Sequence, residues 1–221
     1  MITKRKADAL IARAFLIMAE IFITDINDYS LKEKYINSLP EYRIEKIKRL
    51  KKTKDKLLSL CAGLLVKNFV GDDIKVGEYG KPYSESGKCF NLSHSGDYVI
   101  IALSDFEIGC DIEFEKELDF ERTGKIVFHE NELKKLSEAD DKKEYFYELW
   151  TRKEAFIKCI GKGFGFKVSS VDLSALKNEF TYSGRTFFFK EYMLGSSKIM
   201  LCTEDKILPE KIKIIKPEAI L

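Results

Sequence analysis

Asp111 and Glu113 stand one residue apart in the otherwise apolar run Ile108-Gly109-Cys110-Asp111-Ile112-Glu113, and the segment Trp150-Thr151-Arg152-Lys153-Glu154-Ala155-Phe156-Ile157-Lys158 follows further along the chain. A β-strand alternates its side chains between two faces, so Asp111 and Glu113 point the same way, roughly 7 Å apart, while Ile112 points to the other side. A helix sets Trp150, Glu154 and Lys158, each four residues after the last, on one stripe. Packing that helix on that strand gathers three carboxylates and a lysine at one place. Like charges do not gather cheaply unless a cation lies among them, and hard carboxylate oxygens suit Mg²⁺. A Mg²⁺ held by Asp111, Glu113 and Glu154 with positions left open is a usual arrangement for gripping a phosphate-bearing substrate. The residues alone therefore point to metal-assisted chemistry on a phosphate.

The rest of the composition narrows the setting. A chain of 221 residues, 45% hydrophobic, is long enough for one large domain or two closely packed halves with a real core, which argues against disorder. The 38 basic and 36 acidic residues nearly cancel, so the molecule as a whole offers no field for nucleic acid or an anionic membrane. Cys61, Cys89, Cys110, Cys159 and Cys202 are odd in number and free of CxxC spacing, which argues against a disulfide framework and against a zinc site. A reducing, cytoplasmic setting fits. Residues 7–23 are apolar after a basic start, but Arg13 and Glu20 interrupt them and leave no membrane span. Met18 reads as a fresh start running into a strand, so residues 1–17 are expected to be an upstream extension.

After that strand, at about 20–25, residues 30–67 carry a helical apolar stripe interrupted at Pro40, with a strongly basic opposite side over 43–56. Residues 71–87 are turn-rich. Two alternating or apolar runs, 90–95 and 98–103, read as strands around Gly96-Asp97, and 104–107 is short enough for a hairpin into the strand at 108–113. Residues 120–136 begin as a loop and end as a helix from Glu130. The best-defined helix covers 143–160, and the remainder reads as short antiparallel strands closing with 212–215. The recurrence of strand, helix and strands predicts an α+β fold of two similar halves related by a pseudo-two-fold. Each half is a small antiparallel sheet on a long helix, over 18–105 and 106–221, with the active site between them.

Four motifs in this order resemble those of the 4′-phosphopantetheinyl transferase superfamily, and within it the larger surfactin-synthetase-activating type, in which two similar halves form one chain. Residues 109–113 are similar to its G-x-D-x-E strand and residues 150–158 to its W-[ST]-x-K-E-[AS]-x-x-K helix; Gly80-Lys81-Pro82 and Asn91-Leu92-Ser93-His94-Ser95-Gly96 are similar to two motifs upstream. The resemblance covers about 21–202. It implies that coenzyme A sits between the halves, and that a serine of an acyl or peptidyl carrier protein attacks its β-phosphate. Phosphopantetheine is then transferred and adenosine 3′,5′-bisphosphate leaves. It further implies that Asp111, Glu113 and Glu154 hold Mg²⁺ and that Lys158 binds the phosphate. Glu154 is the candidate base for the serine, directly or through a water, and His94 contacts the 3′-phosphate. By the same resemblance, Arg43 and Lys46 would contact phosphates from the first helix, and Lys81, Pro82 and Ser93 would line the adenine and 3′-phosphate end. Electrostatic positioning of the transferring phosphoryl group does most of the work in such chemistry. Cys110 departs from the branched aliphatic residue usual at its position, and residues 7–18 have no counterpart.

Each feature also has a plainer reading. A D-x-E strand is often just an exposed face, Glu154 and Lys158 an ordinary i,i+4 pair, and Gly80-Lys81-Pro82 a turn. Trp150 is read as core, His129 as a surface helix start, and most of the 43–56 charges as a solvated face. Two other functions remain open: a Mg²⁺-dependent nucleotidyl transferase or nuclease, and a nucleic-acid-binding module using 43–56. The favoured expectation excludes nucleic acid and membrane as partners, takes the chain as a monomer, and places Phe120, Ile126, Val127 and Phe128 at the carrier contact.

Overall fold

The computed structural model describes residues 19–220, so the extension expected over 1–17 lies outside the described residues. Strand β1 (Glu20–Asp25) leads into helices α1 (Glu33–Ile36), α2 (Glu41–Arg49) and α3 (Thr53–Phe69), then the small hairpin β2 (Ile74–Val76) and β3 (Pro82–Ser84), then β4 (Cys89–Ser95) and β5 (Tyr98–Ser104). The second half repeats this plan. Strand β6 (Ile108–Phe114) leads into α4 (Phe120–Val127), α5 (Glu130–Glu138) and α6 (Lys142–Ile160), followed by β7 (Glu179–Tyr182), β8 (Arg185–Leu194), β9 (Ser197–Thr203) and the two-residue β10 (Lys213–Ile214).

Two four-stranded sheets result, in the orders β10-β1-β5-β4 and β6-β9-β8-β7. In each, the first strand of the half pairs antiparallel with the last strand of a hairpin, β1 with β5 and β6 with β9. Both hairpins turn on a glycine with positive φ, Gly96 at 58° and Gly195 at 58°, the conformation that a tight two-residue turn demands at its first position. The expected α+β fold of two similar halves is therefore present.

The alternation along each strand explains the layering. Val99, Ile101 and Leu103 of β5 face α3 through Leu60, Leu64 and Leu65, while Ile100 and Ala102 face the second sheet. On β6, Ile108, Cys110 and Ile112 enter that same inter-sheet core, joined by Ile199 and Leu201 of β9. Met200 and Cys202 turn the other way, into the cluster of Phe146, Leu149 and Phe156 on α6. Strands buried on both faces read as unbroken apolar runs, which is why β5 and β9 stand out in the sequence.

Four expectations are corrected. The 104–107 link does not close a hairpin: β5 and β6 belong to different sheets, and the antiparallel partner of β6 is β9. The C-terminal strand does not close the second sheet either. It pairs parallel with β1, with Phe22 opposite Lys213, and the Ile215 N–H donates to the Ile23 carbonyl at 2.8 Å. A lone two-residue strand carries too little pattern to announce its partner. Residues 120–127 are helical from their start, because the Asp119 side chain accepts from the Arg122 N–H and caps the turn. Phe128 is core, while Phe120, tilted against Phe146 at a centroid distance of 5.4 Å, and Val127 are half-buried, so of the apolar residues expected at a carrier contact Ile126 alone is fully exposed, at 73%. His129 begins α5 as expected, capping it by accepting from the Asn131 N–H.

Candidate active site

The free edges of the two sheets meet, and side chains stitch them where a backbone ladder would otherwise run. Edge strand β4 lies beside edge strand β6, and every second β6 N–H donates to a β4 side chain. Cys110 N–H donates to Asn91 Oδ1 at 3.0 Å, Ile112 N–H to Ser93 Oγ at 3.4 Å, and Phe114 N–H to Ser95 Oγ at 3.0 Å. Both strands advance by two residues per step, so they run parallel, and the side chains of Asn91, Ser93 and Ser95 satisfy a sheet edge that would otherwise be an aggregation hazard.

Opposite that seam, α6 lies directly on β6. Glycine at 109 permits the close approach, since a Cβ there would meet the Ala155 carbonyl oxygen at 2.1 Å. With β6 and α6 in register, a cleft of about 790 Å³ opens along the seam, and Asp111, Glu113, Glu154 and Lys158 all line it, together with Ser93 and His94. Lys81 and Pro82 form its far end.

Within the cleft, Lys158 Nζ donates to Asp111 Oδ1 at 2.6 Å and to Ser93 Oγ at 3.0 Å, while Ser93 Oγ donates to the same Asp111 oxygen at 2.8 Å. Asp111 Oδ2 is buried and accepts nothing among the described residues. Glu113 is held at both ends: Trp150 Nε1 donates to Oε1 at 3.0 Å and Ser95 Oγ to Oε2 at 3.2 Å. Burial pushes the Asp111 carboxyl up against the pull of Lys158. Glu113 and Glu154 are likewise pushed up by burial and then by the Asp111 charge. Lys158 rises despite burial, because the Asp111 carboxylate beside it favours the ammonium.

These observations test the fit of a metal. Among the described residues no three acidic, histidine or cysteine side chains already stand at ligand spacing. The donor set nevertheless suits a hard divalent cation: three carboxylates on one cleft, the two glutamates raised in part by the Asp111 charge, with one buried Asp111 oxygen lacking a partner among the described residues. Asp111, Glu113 and Glu154 are the residues that would hold it.

His94 is depressed by burial and then by the charges of Lys158 and Lys46, and Lys46 does not itself line the cleft. Arg43 also lies outside the cleft walls, and its Nε is buried without a hydrogen-bond partner among the described residues. The Lys81 ammonium is engaged by Glu107 Oε2 at 2.6 Å, the Ile108 carbonyl at 3.2 Å and the Cys159 carbonyl at 3.0 Å, so it pins the start of β6 to the end of α6. Trp150, read from the sequence as core, does pack half-buried against the cluster of Phe146, Leu149 and Phe156, and it also lines the cleft. Ser95 was named within the 91–96 motif but given no role, although its two-residue spacing from Ser93 on one strand was the available signal.

Comparisons with known proteins agree with the geometry. Residues 107–202 match the sequence model of the 4′-phosphopantetheinyl transferase superfamily. The chain is similar to the 4′-phosphopantetheinyl transferase Sfp of Bacillus subtilis (strain 168), 29% identical over 208 residues that cover 86% of this chain and 92% of that protein. It is 30% identical over 196 residues to the 4′-phosphopantetheinyl transferase ffp of Bacillus subtilis, covering 80% of this chain and 87% of the other. Against the 4′-phosphopantetheinyl transferase gsp of Aneurinibacillus migulanus the identity is 35% over 128 residues, spanning 53% of this chain and about half, 54%, of that relative.

Proposed function

This chain belongs to the 4′-phosphopantetheinyl transferase superfamily and is a transferase, and we propose that it moves 4′-phosphopantetheine from coenzyme A to a serine of an apo acyl or peptidyl carrier protein, with Mg²⁺. The observation that carries this reading is the cleft itself: Asp111 and Glu113 of β6 and Glu154 and Lys158 of α6, all from the second half, line it together with Ser93 and His94 of the first.

The carrier serine oxygen forms a bond to the β-phosphorus of coenzyme A, and the bond from that phosphorus to the bridging oxygen breaks. Adenosine 3′,5′-bisphosphate leaves. The Glu154 carboxylate makes no hydrogen bond to another described residue, and burial with the Asp111 charge raises its affinity for a proton. Both support Glu154 as the group that takes the serine proton, directly or through a water. Lys158, kept charged by Asp111, offsets negative charge on the transferring phosphoryl group and the leaving group. A bound Mg²⁺ would neutralise pyrophosphate charge at the three carboxylates. His94, lowered by burial and by the charges of Lys158 and Lys46, offers the 3′-phosphate an imidazole N–H, and Lys46 and Arg43 are the candidates for further positive charge from α2. Lys81 contributes through its stem and the turn it anchors, with Pro82 and Ser93 completing the adenine end.

Incubation with apo carrier protein, coenzyme A and Mg²⁺ tests the proposal. The carrier should gain the mass of one phosphopantetheine arm. No gain across acyl and peptidyl carriers, with the enzyme folded, would overturn it.

A further inference from the structure

We propose that Ser95 and Trp150 are positioning residues that fix the Glu113 carboxylate for a divalent cation, an inference that rests on the transferase reading. Glu113 is the carboxylate of the cleft whose two oxygens are held from opposite sides, Oε1 by the indole N–H of Trp150 at 3.0 Å and Oε2 by the Ser95 hydroxyl at 3.2 Å. One donor on each oxygen fixes the plane of the group and still leaves a lone pair on each for another partner. The side chain has several rotatable bonds, so that plane would otherwise be free to turn away from its charged neighbours.

The direction of the serine proton is itself determined. Ser95 Oγ already accepts the Phe114 N–H at 3.0 Å, so its own proton is available to Glu113. One step earlier the same relay recurs: Ile112 N–H donates to Ser93 Oγ at 3.4 Å, and Ser93 donates to Asp111 at 2.8 Å. A backbone N–H of β6 thus aims a β4 hydroxyl at the preceding β6 carboxylate, twice, at the two-residue period of both strands. The first half of the molecule thereby orients the ligands carried by the second. Groups that orient metal ligands in this way commonly alter metal affinity or activity by about 10–100-fold when removed.

Mg²⁺ titrations in the presence of coenzyme A, alongside the carrier-modification assay, decide the matter. Trp150 is the sole tryptophan of the chain and donates to Glu113, so its fluorescence follows the titration in the wild type, Ser95→Ala and Ser95→Thr; calorimetry serves for Trp150→Phe. Ser95→Ala and Trp150→Phe should each raise the Mg²⁺ dissociation constant by about tenfold or more, with kcat recovering at saturating Mg²⁺, and Ser95→Thr should stay within about twofold of the wild type. A merely structural role would lower the active fraction at every Mg²⁺ concentration. Dissociation constants within twofold of the wild type in both Ser95→Ala and Trp150→Phe, or a wild type that binds no Mg²⁺, overturn the assignment. A weakened Mg²⁺ site in a protein that modifies no carrier supports the positioning role and removes the transferase reading instead.

Discussion

The Ala155 carbonyl oxygen of α6 lies 2.1 Å from where a Cβ on Gly109 of β6 would stand, and the Cys159 nitrogen 2.3 Å from it. Both obstacles are backbone, so neither can swing aside. That contact sets the distance between the strand bearing Asp111 and the helix bearing Glu154 and Lys158. Gly109→Ala should push helix from strand and cost more than about 3 kcal/mol, toward the severe end of overpacking. Urea denaturation checks it, and a variant with wild-type stability would show that the contact is not rigid.

Asp111→Asn removes the charge opposite Lys158 and supplies an amide where the buried, partnerless Oδ2 stands. Carrier modification should fall by about 10²–10³-fold or more, as expected for loss of an electrostatic element of the transition state. The circular dichroism spectrum should be unchanged. A variant that retains full transfer would remove Asp111 from the metal set.

Glu154→Gln separates stability from activity. The Glu154 carboxyl is raised by burial and the neighbouring Asp111 charge, so the folded state holds its proton more tightly than the unfolded chain does. Its contribution to stability is therefore present at low pH and lost as pH rises through the raised value. Without metal, Glu154→Gln should match the wild type near pH 4 and melt roughly 2–4 °C higher near pH 7, the equivalent of about 1 kcal/mol. Transfer should be abolished in the same variant. A melting difference that does not grow with pH would contradict the assigned environment.

Mg²⁺ affinity should weaken on acidification sooner than for exposed carboxylates. Asp111 and Glu113 are raised, chiefly by burial, so protons compete with the cation more strongly than they would at exposed carboxylates. Calorimetric dissociation constants measured between about pH 5 and 7.5 should rise steadily toward the acid end, with proton release on binding. A constant affinity across that range would exclude these carboxylates as ligands.

Lys153, next to Glu154 in sequence, takes no part in the cleft. It is 1% exposed and donates to Glu132, 0% exposed, at 2.8 and 2.6 Å, and to the Val171 carbonyl at 2.6 Å. Glu132 also accepts the N–H groups of His129 at 2.7 Å and Leu173 at 2.7 Å. Lys153→Ala strands a buried carboxylate and should cost about 3–5 kcal/mol in chemical denaturation. Replacing both partners with apolar residues should cost less than the sum of the single changes.

The amino-acid order alone determined the elements that carry chemistry. The two-residue period of Asp111 and Glu113 and the four-residue period of Trp150, Glu154 and Lys158 are local geometry, fixed by how any strand or helix projects its side chains. The repeated strand, helix and hairpin plan was legible for the same reason, because strands buried on both faces announce themselves as apolar runs. Only the tertiary structure decided what those side chains meet. That β6 pairs with β9, that β10 returns to β1, that Trp150 and Ser95 hold Glu113, and that Lys153 is buried on Glu132 all depend on contacts between segments far apart in the chain. Such partners leave no period in the sequence, since a hydrogen bond requires only one suitable donor at one distance, and the packing of whole sheets and helices sets that distance.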